Sequence, residues 1–209
     1  MKDKKLSRRE REKRRHLFDI LKAAEDLFSE RGYNNVSVQE IADRAEFAVG
    51  TIYSYFKNKE DLYNTMLRES GNAYFSRILP LLDQKGDPCE IIRKYVAISL
   101  DILHEHRKVL KIFIAEMKGV KFAIKSRPDE EFRDKDLQLE RKIAAQIKRG
   151  VKKGLFRELN PNQAALALMG IMDSMVIKWV NHPEFFPEGL KPEFITNIFF
   201  HGCLKKEKS

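Results

Sequence analysis

Only two cysteines, Cys89 and Cys203, occur in 209 residues, and their positions fit no metal-ligand spacing. That argues against a disulfide framework or a Cys/His zinc module and leads us to expect free thiols in a reducing compartment. No apolar run approaches a membrane span and no signal peptide opens the chain, so a soluble, cytoplasmic protein with no membrane partner is expected. A phosphate-binding glycine loop, a nucleophile elbow and the H-E-x-x-H spacing are all missing. Strand-type alternation is missing as well. Apolar residues recur at helical spacing from end to end, so the fold class is all-α, with about nine helices. Asp101, His104, Glu105 and His106 alone have the composition of a metal or acid–base group. They lie at an expected helix end beside Arg107 and Lys108, where histidine is simply favourable. No catalytic residue, metal or cofactor is expected, and an enzyme is the weaker class.

Positive charge is plentiful: the formal net charge is +9. Residues 1–15 hold nine Lys or Arg against Asp3, Glu10 and Glu12. Such a start is either a solvated tail or an arm that neutralises phosphates.

Val36 to Phe56 organises the rest. Ser37 with Glu40 three residues on forms a capping box, and Val36 with Ile41 supplies the hydrophobic staple. Val38, Ile41, Ala42 and Ala45 share one helical face; after a turn, Ile52 and Phe56 repeat the spacing. The second helix is too short to stand alone and must be pinned by the first, which frees its outer face. That is the build of a helix-turn-helix, whose second helix enters the DNA major groove.

Gly32-Tyr33, Ile41-Ala42 and the run Thr51-Ile52-Tyr53-Ser54-Tyr55-Phe56-Lys57-Asn58-Lys59-Glu60-Asp61-Leu62 resemble the signature of the tetracycline-repressor (TetR) family of transcription factors. The likeness covers about residues 15–67. It departs at Glu46, where the family usually has glycine, and at Val49, where a lysine or polar residue is common. A non-glycine at position 46 costs of order 1 kcal/mol if its φ is positive. The missing polar residue at 49 removes one common phosphate or base contact.

The expected DNA-binding residues are Ser37, Gln39, Val49, Gly50, Thr51, Tyr53, Ser54, Tyr55, Lys57 and Lys59. Thr51, Ser54 and Tyr55 are the candidates for base edges, and Gly50 admits the backbone closely. Tyr53, Lys57 and Lys59 are expected on phosphate, with Ser37 starting a helix whose amides face one. Packing within the small core remains the alternative for Tyr53 and Tyr55. Residues 1–58 form the expected basic arm and DNA-binding domain; residues 59–209 form a helical ligand-binding and dimerisation domain.

A long helix from about Lys59 to Asp83 should link the two. Beyond it, Phe75, Leu79, Ile98, Ile102, Phe113 and Met117 are expected around a small apolar effector. Leu139, Ile143, Met169, Met172 and Trp179 complete that set, an ordinary core being the alternative reading. Asp173 either faces solvent or anchors a polar ligand group. The helix over about residues 164–180 is apolar nearly all round, which calls for burial on every side and hence a partner. Ala167, Gly170 and Ser174, with Ile195, Ile198 and Phe199, are the expected dimer interface, a four-helix bundle about a two-fold axis. The resemblance implies the same homodimer and a repressor released from a palindromic operator in double-stranded DNA. The rival is a DNA-bound adaptor that recruits a protein partner and takes no effector.

Overall fold

The computed structural model describes residues 7–118 and 130–203, the side chains of 116–118 excepted. Among these residues the fold is all-α. Its helices are α1 (Arg8–Arg31), α2 (Val38–Arg44), α3 (Val49–Tyr55), α4 (Lys59–Leu82), α5 (Pro88–Glu105), α6 (Arg107–Lys118), α7 (Glu130–Lys152), α8 (Pro161–Asn181) and α9 (Pro192–Cys203). α7 begins at Glu130; residues 119–129 lie outside the described residues.

The starts of these helices are written in the sequence. Ser7 caps α1 and Ser37 caps α2, each hydroxyl accepting the amide three residues on while Glu10 or Glu40 accepts the capping amide in return. Asn58 Oδ1 accepts from the Asp61 amide at 2.8 Å, and Asp61 accepts from Lys57 N–H at 2.9 Å, so α4 begins on a similar reciprocal pair. Asp87 before Pro88 and Asn160 before Pro161 cap α5 and α8. Gly32, at φ 79°, ends α1 by donating to the Phe28 carbonyl.

The chain forms two compact units, and the division does not fall at 58/59. It lies inside α4, between Glu69 and Ser70, and again between Arg107 and Lys108, so that most of α6 belongs with the first unit. Ile20, Ala24, Phe28, Ile41, Ile52 and Phe56 are buried together there, joined by Leu62 and Met66 of α4 and by Val109 and Ile112 of α6. Lys108 also reaches Asp26 on α1 at 2.6 Å. Phe113, expected near an effector, consequently lies in the first unit. In the second unit α5 packs against α7 and α9, and α8 runs along α7. Gln146 of α7, itself buried, donates to the Leu82 carbonyl at 2.6 Å and so satisfies the end of α4.

Glu46, in the turn between α2 and α3, adopts φ 59°, the one positive φ outside glycine among the described residues. Phe47 N–H closes this turn onto the Ala42 carbonyl at 2.9 Å. Since a side chain in the left-handed region costs about 1 kcal/mol, Glu46→Gly is expected to raise the thermal midpoint by about 2–4 °C, read by circular dichroism. Glu40 gives a pH test. The Ser37 amide, then the Ser37 hydroxyl and Arg31, hold its carboxyl down at about 2 from an ordinary 4.5. Because the folded value is the lower one, the cap's contribution is complete above about pH 5 and is lost as pH falls towards 2. The difference in thermal midpoint between wild type and Glu40→Gln should therefore be constant above pH 5 and shrink steadily below it.

Candidate nucleic-acid interface

α3 is seven residues long and is held by one side. Ile52 is 1% exposed and Phe56, just past its end, 3%, both in the first unit's core. The other side is open: Gly50, Tyr53 and Ser54 are exposed and Thr51 is half-buried. Nothing lies within 4 Å of where a Gly50 Cβ would stand, so a partner's backbone can approach there. Ser54 Oγ donates back to the Thr51 carbonyl at 2.7 Å, keeping its lone pairs available outward.

The two tyrosines separate. Tyr53 projects, 54% exposed. Tyr55 turns inward, its hydroxyl 3.4 Å from His16 Nδ1 on α1 and its ring packed against the core. Tyr55 thus helps to hold α3 to α1. Val49 likewise packs against the core and Gln39 donates to Asp43 on its own helix at 2.8 Å. Ser37 is exposed; its hydroxyl donates to Glu40 at 2.8 Å and accepts from the Glu40 amide at 3.2 Å.

Lys59 departs most from expectation. Its ammonium donates to the carbonyls of Tyr33 at 2.9 Å and Val36 at 2.8 Å, and sits 4.3 Å from the centre of the Tyr33 ring. Burial pushes its pKa down. The side chain ties the start of α4 to the loop before α2, an internal task that the sequence does not announce. Lys57 is exposed and keeps its side chain outward.

In the second unit, Phe75, Ile102, Leu139, Ile143, Met172 and Trp179 are buried, while Leu79, Ile98 and Met169 are half-buried. The Met117 side chain lies outside the described residues. Sequence reasoning missed the polar group among these apolar residues. The Tyr74 hydroxyl lies 3.2 Å from Ser99 Oγ, and burial pushes both Tyr74 and Tyr95 up from the ordinary phenol value. Asp136 and Asp173 are raised as well, first by desolvation, then by a neighbouring carboxylate, Glu140 for Asp136 and Asp136 for Asp173.

α8 has two faces. Ala165, Leu168, Met172, Val176, Trp179 and Val180 are buried in the subunit. On the other side Leu166 is 53% and Ile177 41% exposed, beside exposed Ala167, Gly170 and Ser174. An 18-residue window within the 21 residues of α8 has a mean hydropathy of 1.3, so by length and composition alone this helix could cross a membrane, which the sequence reading did not anticipate. Phe194 and Ile198 of α9 are also exposed, at 53% and 48%. Ile195 and Phe199, expected at an interface, are instead core residues, 0% and 4% exposed, because α9 lays that edge on α5. Among the described residues no group of three or more His, Cys, Asp or Glu side chains is arranged to hold a metal ion.

Residues 20–66 match the bacterial regulatory proteins of the tetR family, and residues 85–182 match the tetracyclin repressor-like C-terminal domain. An uncharacterized HTH-type transcriptional regulator of Bacillus subtilis, YuxN, is 33% identical over 97 residues, which span 46% of this chain and only 33% of that protein. The Fatty acid metabolism regulator protein of the same organism is 26% identical over 83% of this chain and 88% of its own length. SmeT, the repressor of the Stenotrophomonas maltophilia multidrug efflux pump SmeDEF, superposes with a TM-score of 0.71 at 19% identity, covering 90% of each chain. SmeT has also been solved as a complex with triclosan, at a TM-score of 0.68. With a helix-turn-helix unit and a larger helical unit both matched, the chain belongs to the TetR family of DNA-binding transcriptional regulators.

Proposed function

We propose that this protein is a homodimeric, cytoplasmic repressor released from a palindromic operator by a small, largely apolar effector. The open face of α3 carries the reading. Gly50, Thr51, Tyr53 and Ser54 stand clear of the core, and only seven residues separate the pinned turn from the pinned end. Thr51 and Ser54 are placed to meet base edges, where a threonine methyl suits thymine. Tyr53 and Lys57 take phosphate, which positions the helix without reading sequence.

Dimer formation rests on the α8 face and its neighbour on α9. Large apolar Leu166 and Ile177 and small Ala167, Gly170 and Ser174 are exposed on α8, as are Phe194 and Ile198 on α9, a composition that would let two copies of α8 approach closely. The effector is assigned to the second unit, which holds half-buried Leu79, Ile98 and Met169 and the hydroxyl pair of half-buried Tyr74 and buried Ser99. Adaptable methionine next to fixed polar groups suits a ligand that is apolar with one or two hydrogen-bonding atoms. The triclosan complex of SmeT, a structural relative, supports a small-molecule ligand of this kind. Its effect would pass along α4 and through the α5–α6 junction, where the chain crosses between units at Glu69–Ser70 and Arg107–Lys108. A coupling of about 1–3 kcal/mol is enough to lower operator affinity roughly five- to 150-fold.

Anisotropy titrations on a duplex selected from genomic fragments by the wild-type chain test the DNA face. Thr51→Ala should reduce discrimination against shuffled duplex about five- to tenfold. Lys57→Ala should weaken both duplexes alike and flatten the salt slope by about one unit. Lys59→Met is expected to leave that slope unchanged and to lower stability by about 1–3 kcal/mol in urea titration, since two carbonyls lose a charged donor. In sedimentation equilibrium at micromolar concentration, Leu166→Asp combined with Ile198→Asp should yield folded monomer where wild type is a dimer.

A further inference from the structure

α1 continues well beyond the core it serves. Its buried residues are Ile20, Ala23, Ala24, Leu27 and Phe28, all in the second half of a 24-residue helix. At about 100° per residue, the stripe of Ile20, Ala23 and Leu27 extends back along one face through His16 and Lys13 to Arg9. His16 marks where the stripe changes character. Its ring lies 4.9 Å from that of Phe47, in the turn before α3, and its Nδ1 lies 3.4 Å from the Tyr55 hydroxyl at the end of α3. Lys13 Nζ stands 6.0 Å from the centre of the Tyr55 ring. The face that is apolar against the core therefore becomes cationic as it passes the carboxyl end of the short helix.

The acids on this half of α1 are committed elsewhere. Glu10 accepts from the Ser7 amide at 2.7 Å, Glu12 pairs with Arg8 at 3.1 Å and Asp19 with Arg15 at 3.9 Å. Arg9 and Lys13 are exposed and have no ion-pair partner among the described residues. Two like charges four residues apart oppose helix formation in water by a few tenths of a kcal/mol, an opposition that a polyanion removes.

We propose that Arg9 and Lys13 bind the sugar–phosphate backbone of duplex DNA just outside the bases met by α3, extending each half-site contact along α1. The inference rests on α3 being the DNA-reading helix. Arg8 and Arg15, paired on other faces of the same helix, do not share in it.

The test compares full-length wild type with two double variants of equal charge loss, Arg9→Gln/Lys13→Gln and Arg8→Gln/Arg15→Gln. Each is titrated against a 40-bp random-sequence duplex between 50 and 200 mM KCl, after circular dichroism confirms unchanged helix content. Two phosphate contacts carry a slope of about 1.8 in log K against log salt, so wild type should lose about tenfold more affinity over that range than Arg9→Gln/Lys13→Gln. The Arg8→Gln/Arg15→Gln variant should keep most of the wild-type slope. Equal flattening in both variants would reduce the effect to net charge and overturn the proposal, as would no flattening in either. Wild type that binds no duplex at 50 mM KCl would overturn the reading of α3 as well.

Discussion

A helix of seven residues does not persist in water by itself. Everything proposed for this protein depends on Ile52 and Phe56 being buried, which holds α3 by one side and leaves the other unclaimed. The groups that bury them come from far along the chain: Ile20 and Phe28 on α1, Ile41 on α2, Leu62 on α4 and Ile112 on α6. Polar ties hold the same unit together. Lys59 joins α4 to the carbonyls before α2, and Lys108 joins α6 to α1. The turn between α2 and α3 is made at the expense of a strained Glu46, so the angle between the two short helices is fixed by the packing around it, since the residue itself disfavours the bend.

The second unit solves a different problem. α8 is apolar on too wide an arc for one subunit to cover, and the chain covers only the half that faces α7. What is left is a face of exposed large and small residues. Ser99 is buried and the Tyr74 hydroxyl reaches it among bulky apolar side chains, burial pushing the phenol up, while Asp136 and Asp173 remain exposed with carboxyls raised by partial desolvation and a neighbouring carboxylate.

Local chemistry was legible in the sequence. Both capping boxes, the glycine stop after α1 and the proline starts of α5 and α8 each depend on residues within a few positions of one another. What escaped depended on contacts made across the fold. Two residues set Tyr53 and Tyr55 about 200° apart on a helix, but which of them turns inward depends on the core it meets and on His16, 39 residues before Tyr55. Lys59 looked like a surface cation because its acceptors, the Tyr33 and Val36 carbonyls, are backbone atoms that a sequence pattern does not reveal. Phe113 followed α6 into the first unit, and Ile195 and Phe199 followed α5, since an amphipathic stripe states that it will be buried without stating against what. The polar cluster at Tyr74 and Ser99 left no trace at all, its members coming from two helices.

The most direct measurement is selection of binding sites from a random duplex library by the full-length chain at about 100 mM salt. The account predicts enrichment of an inverted repeat whose half-site centres lie one helical turn, roughly 34 Å, or a multiple of it, apart. Sequences enriched without two-fold symmetry, or a library unchanged after several rounds, would contradict it.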